Sequence, residues 1–289
     1  MKKKVSAIGS ATIINAIAIG YGSAFGIDLD IIIDIKTSSS NLKYHSDIGA
    51  DTKLMEICVK NTLNHFNISY DDIGLEIKTK SNLPMASGLS SSSALSNGIV
   101  LALSNIISEE YDKKPLNDFD IINLAIDSSL EADVTITGAF DDATASYFGG
   151  ITVTNNEYRE IINKEKMDEL KVLVYMPNFH SKSSDVDVSK IKLLSPLVKN
   201  AFNMAQKRDY FNALTLNGLI YSATLGFDSS IAIDALNAGA YASGLSGTGS
   251  SFVAICENEF IDDIKDSWSF FDGKIIETKV NNLGCIFLK

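Results

Sequence analysis

At 289 residues the chain is long enough to bury a sizeable core, as one large unit or two modest ones. Its 45% hydrophobic and 21% charged residues describe an ordinary globular protein, and no stretch approaches the roughly 18 apolar residues of a membrane span. The balance of 25 basic against 36 acidic residues argues against nucleic acid as a partner, because phosphate contacts call for a basic surplus.

The opening Met1-Lys2-Lys3-Lys4 and the apolar run behind it have the outline of a secretory leader. Ser6, Gly9, Ser10, Thr12 and Asn15 interrupt that run, and the pattern continues into Ile31-Ile32-Ile33 without a break. The segment is therefore expected to belong to the fold and the protein to be cytoplasmic. Cys58, Cys256 and Cys285 are far apart and sit in apolar patterns, which fits free thiols in a reducing compartment. The three histidines are scattered, without the spacing of a zinc site.

In chain order, strands are expected over 3–8 and 24–35, around a Gly/Ala/Ser-rich segment. A helix follows over 51–66 with Asp51 or Thr52 as its cap. The alternating run 73–79 reads as a strand, and apolar residues at helical spacing mark helices over 91–107 and 117–132. A second loop is expected over 135–150, then a strand at 151–154. The polar run 155–169 is the candidate boundary between two units, 1–157 and 158–289. Beyond it, a strand at 171–176 precedes a mostly helical stretch, 190–240, in two or three pieces. A glycine/serine loop at 243–251, a strand at 252–255, a helix at about 259–268 and a strand at 274–280 complete the series. Strands and helices mix without a strict βαβ repeat, so the fold class is α+β.

One stretch carries the chemistry. Pro84-Met85-Ala86-Ser87-Gly88-Leu89-Ser90-Ser91-Ser92-Ser93-Ala94 lies between the strand at 73–79 and a strong helix. Small residues there let the backbone approach a ligand, and unpaired N–H groups at the positive end of a helix dipole bind anions, phosphate above all. A flexible serine linker is the plain alternative, which the surrounding Pro, Gly and Ala and the helix behind them disfavour. The loop has no lysine and is not a Gly-x-x-x-x-Gly-Lys-Ser/Thr P-loop. Charge on a bound phosphate would have to be met by N–H groups, the dipole and a metal. A hydroxyl such as Ser92 with a distant carboxylate suits Mg²⁺. Glu131 and Asp142 are carboxylates that could reach such a site. Taken singly, both also read as solvated surface charges. Asp141-Asp142 in an apolar, small-residue segment is the odder pair, since ionised groups there need partners.

These motifs resemble the kinases of the galactokinase, homoserine kinase, mevalonate kinase and phosphomevalonate kinase (GHMP) superfamily. Residues 84–94 are similar to that superfamily's Pro-x-x-x-Gly-Leu-Gly-Ser-Ser-Ala phosphate loop, with Ser90 at the third glycine, a change tolerable if its backbone angles stay ordinary for a non-glycine residue. Residues 243–251 resemble its C-terminal glycine-rich loop. In the mevalonate kinase branch a helix glutamate stands eleven positions before a catalytic aspartate, itself seven before Gly-Gly. Glu131, Asp142 and Gly149-Gly150 repeat those spacings.

The resemblance implies a ribosomal protein S5 domain 2-like N-terminal domain and a ferredoxin-like C-terminal domain. It also implies ATP held by the loop backbone, Mg²⁺ on Ser92 and Glu131, and Asp142 orienting and deprotonating the acceptor hydroxyl. Residues 246–250 would support the phosphate or acceptor side. Many relatives carry a lysine where this chain has Ser10; if that lysine lowers the aspartate's pKa, another cation must substitute here, or Asp142 works with metal alone. The first motif, 9–29, and Thr137-Gly138-Ala139-Phe140-Asp141-Asp142-Ala143 are most similar to the archaeal type of shikimate kinase. That implies phosphorylation of the shikimate 3-hydroxyl. Homoserine or mevalonate phosphorylation, or a regulator that binds nucleotide without turnover, are the alternatives. Asn15, Tyr21 and Asp28 are candidates for acceptor contact, with packing as the other role of each.

Overall fold

The computed structural model describes residues 1–39, 42–46, 52–178 and 187–289. Two long strands, β1 (Lys2–Ile14) and β2 (Tyr21–Ser38), form an antiparallel hairpin closed by a turn at Ala16–Gly20, where Gly20 N donates to Ala16 O at 2.8 Å. The apolar run at the N-terminus is thus a sheet strand. Leu29, Ile31, Ile33 and Ile35 alternate inward on β2, the period of a strand with one buried face. β2 is long enough to serve two neighbours. Its C-terminal half pairs with β4 (Gly74–Ser81), which pairs in parallel with β3 (Lys43–Ser46). Its N-terminal half pairs with β5 (Ile151–Asn155), followed by β6 (Glu160–Glu165).

Four helices, α1 (Lys53–His65), α2 (Ser91–Glu110), α3 (Asp118–Glu131) and α4 (Phe140–Phe148), cover this sheet. Asn117 caps α3, its side chain accepting from Asp120 N. Of the two expected caps of α1, Asp51 lies outside the described residues. Thr52 makes no capping bond to the backbone; its hydroxyl donates to Glu56 instead, at 2.8 Å. α4 corrects the loop expected over 135–150. Gly138 and Ala139 turn the chain at positive φ, and Phe140, Ala143 and Tyr147 then recur on the buried side of a helix.

A second sheet has the order β10-β7-β9-β8, built from β7 (Lys171–Pro177), β8 (Ala242–Leu245), β9 (Phe252–Cys256) and β10 (Gly273–Lys279). Between β7 and β8 run α5 (Val188–Leu193), α6 (Ser195–Gln206), α7 (Tyr210–Leu225) and α8 (Ser230–Asn237); α9 (Ile261–Trp268) precedes β10. Reduced to its sheet and crossovers, this is the β-α-β-β-α-β arrangement of the ferredoxin-like fold. The helical stretch holds four pieces rather than two or three. β6 pairs with the first sheet, so the change of sheet falls between Glu165 and Lys171, inside the polar run that extends past 157. A short terminal strand, β11 (Ile286–Phe287), which has no sequence signal, returns to pair with β1. Cys58 and Cys256 are buried and Cys285 is half-buried, all as free thiols. Among the described residues no helix is long and apolar enough to cross a membrane.

Candidate active site

The phosphate-loop stretch leaves β4, is pinned by buried Leu83 and Leu89, and enters α2. Gly9 on β1 receives it: a Cβ there would collide with the Leu83 side chain and the Leu89 carbonyl. The β1–β2 register shifts between Ile8 and Ser10, and this bulge aims Ser10 at the loop, its N–H donating to Leu89 O at 3.2 Å. The C-terminal glycine/serine loop closes on the other side. Ser246 Oγ donates to Gly88 O at 2.7 Å and accepts from Thr12 N at 3.1 Å. Ser251 N donates to Ser87 O at 3.1 Å, and Gly247 N to Thr12 Oγ1 at 3.0 Å. Three segments distant in sequence are thereby laced into one wall.

The first helical bond of α2 runs from Ala94 N to Ser90 O at 3.0 Å. The N–H groups of Ser91, Ser92 and Ser93 therefore stand outside the helical ladder at the positive end of a 20-residue helix. That is an anion site made by the backbone. Pro84, Met85 and Gly88 are half-buried, Ala86 is exposed, and Ser87 Oγ closes the turn on Pro84 O at 3.0 Å. One expectation is corrected: Ser90 does not have ordinary angles. It sits at φ +61°, ψ +32°, a left-handed conformation that disfavours a side chain by about 1–2 kcal/mol.

Asp141 and Asp142 occupy the first turn of α4, where successive side chains diverge by about 100°. They face different walls. Asp141, 4% exposed, accepts from Asn156 Nδ2 at 2.7 Å and lies so close to Gly22 that a Cβ there would collide with it. Asn156 in turn accepts from Thr154 Oγ1 at 2.7 Å. Asp142 turns to the phosphate loop, beside Ser10 and Ser90, whose hydroxyl oxygens are 2.6 Å apart. Asp142 Oδ1 is buried with no partner in the structure. Burial, then the Asp141 charge, push the Asp142 carboxyl well above the usual carboxylate range, while the Ser90 and Ser10 hydroxyls pull it back. Burial also raises Asp141, opposed by the Asn156 hydrogen bond.

A carboxyl raised by a neighbouring charge ionises at lower pH when that charge is removed. Asp141→Asn retains an acceptor for Asn156. It is expected to move the acid limb of the kcat/KM–pH profile to lower pH, measured by steady-state assays across the limb. An unmoved limb would contradict the coupling.

Ser92 is half-buried in the first turn of α2. Ser129 Oγ donates to Ser96 Oγ at 3.2 Å, which places the end of α3 beside the start of α2. The Glu131 carboxylate is nevertheless turned towards α1. Its Oε1 pairs with Lys60 Nζ at 3.0 Å and its Oε2 accepts from Asn61 Nδ2 at 2.9 Å, and both partners lower its pKa. Ser10, Ser90 and Asp142 are thus brought together, whereas Glu131 stands on an adjoining helix with both oxygens engaged. A serine hydroxyl and a carboxylate are the oxygen donors Mg²⁺ accepts, so the donor set fits that ion once Glu131 releases Lys60.

Asn15 and Asp28 serve structure: Asn15 Nδ2 donates to Gly247 O at 2.9 Å, and Asp28 accepts from Asn281 Nδ2 at 2.8 Å. Tyr21 packs on Phe202, with Lys199 Nζ 4.7 Å from its ring centre. Sequence reasoning missed Asn156, Thr12 and the Ser10–Ser90 contact. The last had a signal in the unusual serines at two motif positions.

Residues 53–150 match the family model of the GHMP kinases N terminal domain. A protein from Methanobrevibacter smithii named shikimate kinase is 64% identical over 288 residues, covering 100% of both chains. One of the same name from Methanothermobacter thermautotrophicus is 49% identical, covering 98% of this chain and 97% of its own. In structure, the Methanococcus jannaschii mevalonate kinase superposes with a TM-score of 0.75 at 19% identity over 98% of each chain. A homoserine kinase from Cytophaga hutchinsonii does so with a TM-score of 0.76 at 17% identity, over 99% of this chain and 97% of its own. The chain belongs to the GHMP kinases and, among them, to the shikimate kinase family of its full-length relatives.

Proposed function

We propose that the protein transfers the terminal phosphoryl group of ATP to the 3-hydroxyl of shikimate, giving shikimate 3-phosphate and ADP. The observation that carries the reaction class is Asp142: a carboxylate with an unpartnered oxygen, held in the same wall as the phosphate loop. The acceptor rests on the full-length likeness to proteins named shikimate kinase.

In this reading the free N–H groups at the start of α2 and the backbone of residues 87–93 hold the nucleotide phosphates. Ser92 and Glu131 would hold Mg²⁺, which when bound neutralises charge on the phosphate oxygens. Asp142 orients the acceptor hydroxyl and takes its proton; its raised pKa makes it a stronger base than a solvated aspartate. The laced loops fix the phosphate side of the site before substrate arrives, so little ordering is left for the transfer step. The division into an N-terminal unit carrying the phosphate loop and a C-terminal unit carrying the second glycine/serine loop is part of the same reading.

The metal assignment has its own test. Glu131→Gln is expected to raise the magnesium concentration for half-maximal turnover about tenfold, and Lys60→Ala, which frees Glu131 Oε1 while Asn61 still holds Oε2, to lower it. Unchanged titrations in both variants would remove Glu131 from the metal site. The acceptor is tested by coupled ADP release with shikimate, homoserine and mevalonate in parallel.

A further inference from the structure

Ser90 is held where serine is a poor choice twice over. Its backbone lies in the left-handed region that favours glycine, and as the residue capping α2 its side chain makes no capping bond. The hydroxyl is directed elsewhere. It accepts from Ser10 Oγ at 2.6 Å and lies 3.4 Å from Ser10 O. Ser10 Oγ is in turn 3.5 Å from the Asp142 carbonyl. Ser10 is completely buried and Ser90 is 8% exposed, so water does not compete for these contacts. With the Ser10 hydrogen given to Ser90, the Ser90 hydrogen is left for Ser10 O, at a long 3.4 Å, or for the Asp142 carboxylate beside it, whose pKa the neighbouring hydroxyls lower. No cation is among the groups acting on Asp142 from the described residues. The hydroxyl pair is what this wall offers the carboxylate.

We propose that Ser10 and Ser90 are positioning residues, a two-hydroxyl relay that holds the Asp142 carboxylate in the orientation that takes the acceptor proton. This rests on the reading of Asp142 given above. It also explains why a strained serine, rather than glycine, precedes α2.

The relay makes a prediction opposite to a structural role. Ser90→Gly keeps every backbone N–H and relieves the left-handed strain. If Ser90 only shaped the loop, this variant would match or exceed the wild type. The relay instead requires kcat with ATP and shikimate to fall about tenfold or more, as a misplaced group costs. KM for ATP should stay within about threefold, since phosphate binding is untouched. Thermal stability should be equal or higher. Ser90→Ala loses the hydroxyl but keeps the strain, and should show the same fall in kcat with lower stability. Because the two hydroxyls act in series, the Ser10→Ala/Ser90→Gly double variant should lose no more than the worse single variant.

Wild-type kcat in Ser90→Gly, or losses that multiply in the double variant, would overturn the relay while leaving Asp142 in place. Wild-type turnover in Asp142→Asn would instead remove the reading of the site, and the relay with it.

Discussion

Asp142→Asn is expected to lower turnover by roughly 10²–10⁴-fold, the range a general base contributes, while nucleotide affinity stays near wild type. The phosphates are held by backbone N–H groups at the start of α2, which this change leaves alone. The same variant is expected to be more stable. A carboxyl whose pKa is raised on folding keeps in the folded chain a proton that the unfolded chain gives up. Its stabilising contribution is complete below the ordinary carboxylate range and is lost as pH rises through the folded value. At neutral pH the wild type therefore carries two adjacent carboxyls, Asp141 buried and Asp142 half-buried with its Oδ1 covered, whose ionised forms burial disfavours. Replacing one by a neutral isostere should add about 1–2 kcal/mol, the exchange of stability for activity seen when a functional residue is removed. Calorimetry at pH 7 and again near pH 4 checks the sign, because the gain should shrink as the wild-type carboxyls protonate. Wild-type turnover, or a loss of stability at pH 7, would contradict the role and the environment assigned to Asp142.

Gly88→Ala is expected to be the most damaging single methyl in the phosphate loop. Gly88 has φ +79°, and a Cβ there would strike the Ser246 carbonyl oxygen, with the Gly249 carbonyl beside it. Both obstacles are backbone, so neither can swing away. Left-handed strain and overpacking together should cost about 2–5 kcal/mol. The loop can escape only by leaving Ser246 and Ser251, which should raise KM for ATP by about tenfold or more. Gly226→Ala is the control. Its φ is +76°, but no atom lies within 4 Å of the added Cβ, so it carries the backbone strain alone. Denaturation midpoints and ATP saturation curves for the two variants separate strain from collision. Equal effects would show that the junction between the two loops does not depend on the close approach at Gly88.

What the sequence made legible followed from periodicity. α2 and α3 were readable because their apolar residues recur at helical spacing over three or more turns. β2 and β4 were readable because they alternate. α4 was not, because its first turn is Asp141-Asp142 behind Gly138-Ala139, a sequence that looks like a loop until tertiary packing buries Phe140 and Tyr147. β11 has two residues and is a strand only because β1 offers an edge.

The candidate site divided in the same way. The loop and the two carboxylates were legible as chemistry, since residue type and spacing carry them. Their orientation was not. Which of two adjacent aspartates faces the loop depends on the angular position of each around α4. The turning of Glu131 towards Lys60 depends on the neighbouring helix, α1. The left-handed backbone of Ser90 depends on how β1 receives the loop.

The most direct measurement is ADP release by the full chain with ATP, Mg²⁺ and, in turn, shikimate, homoserine and mevalonate. Shikimate-dependent turnover that is absent with the other two acceptors, and absent in Asp142→Asn, is the expected result. Turnover with homoserine or mevalonate but not shikimate would contradict the acceptor, and ATP binding without turnover on any of the three would contradict the kinase reading itself.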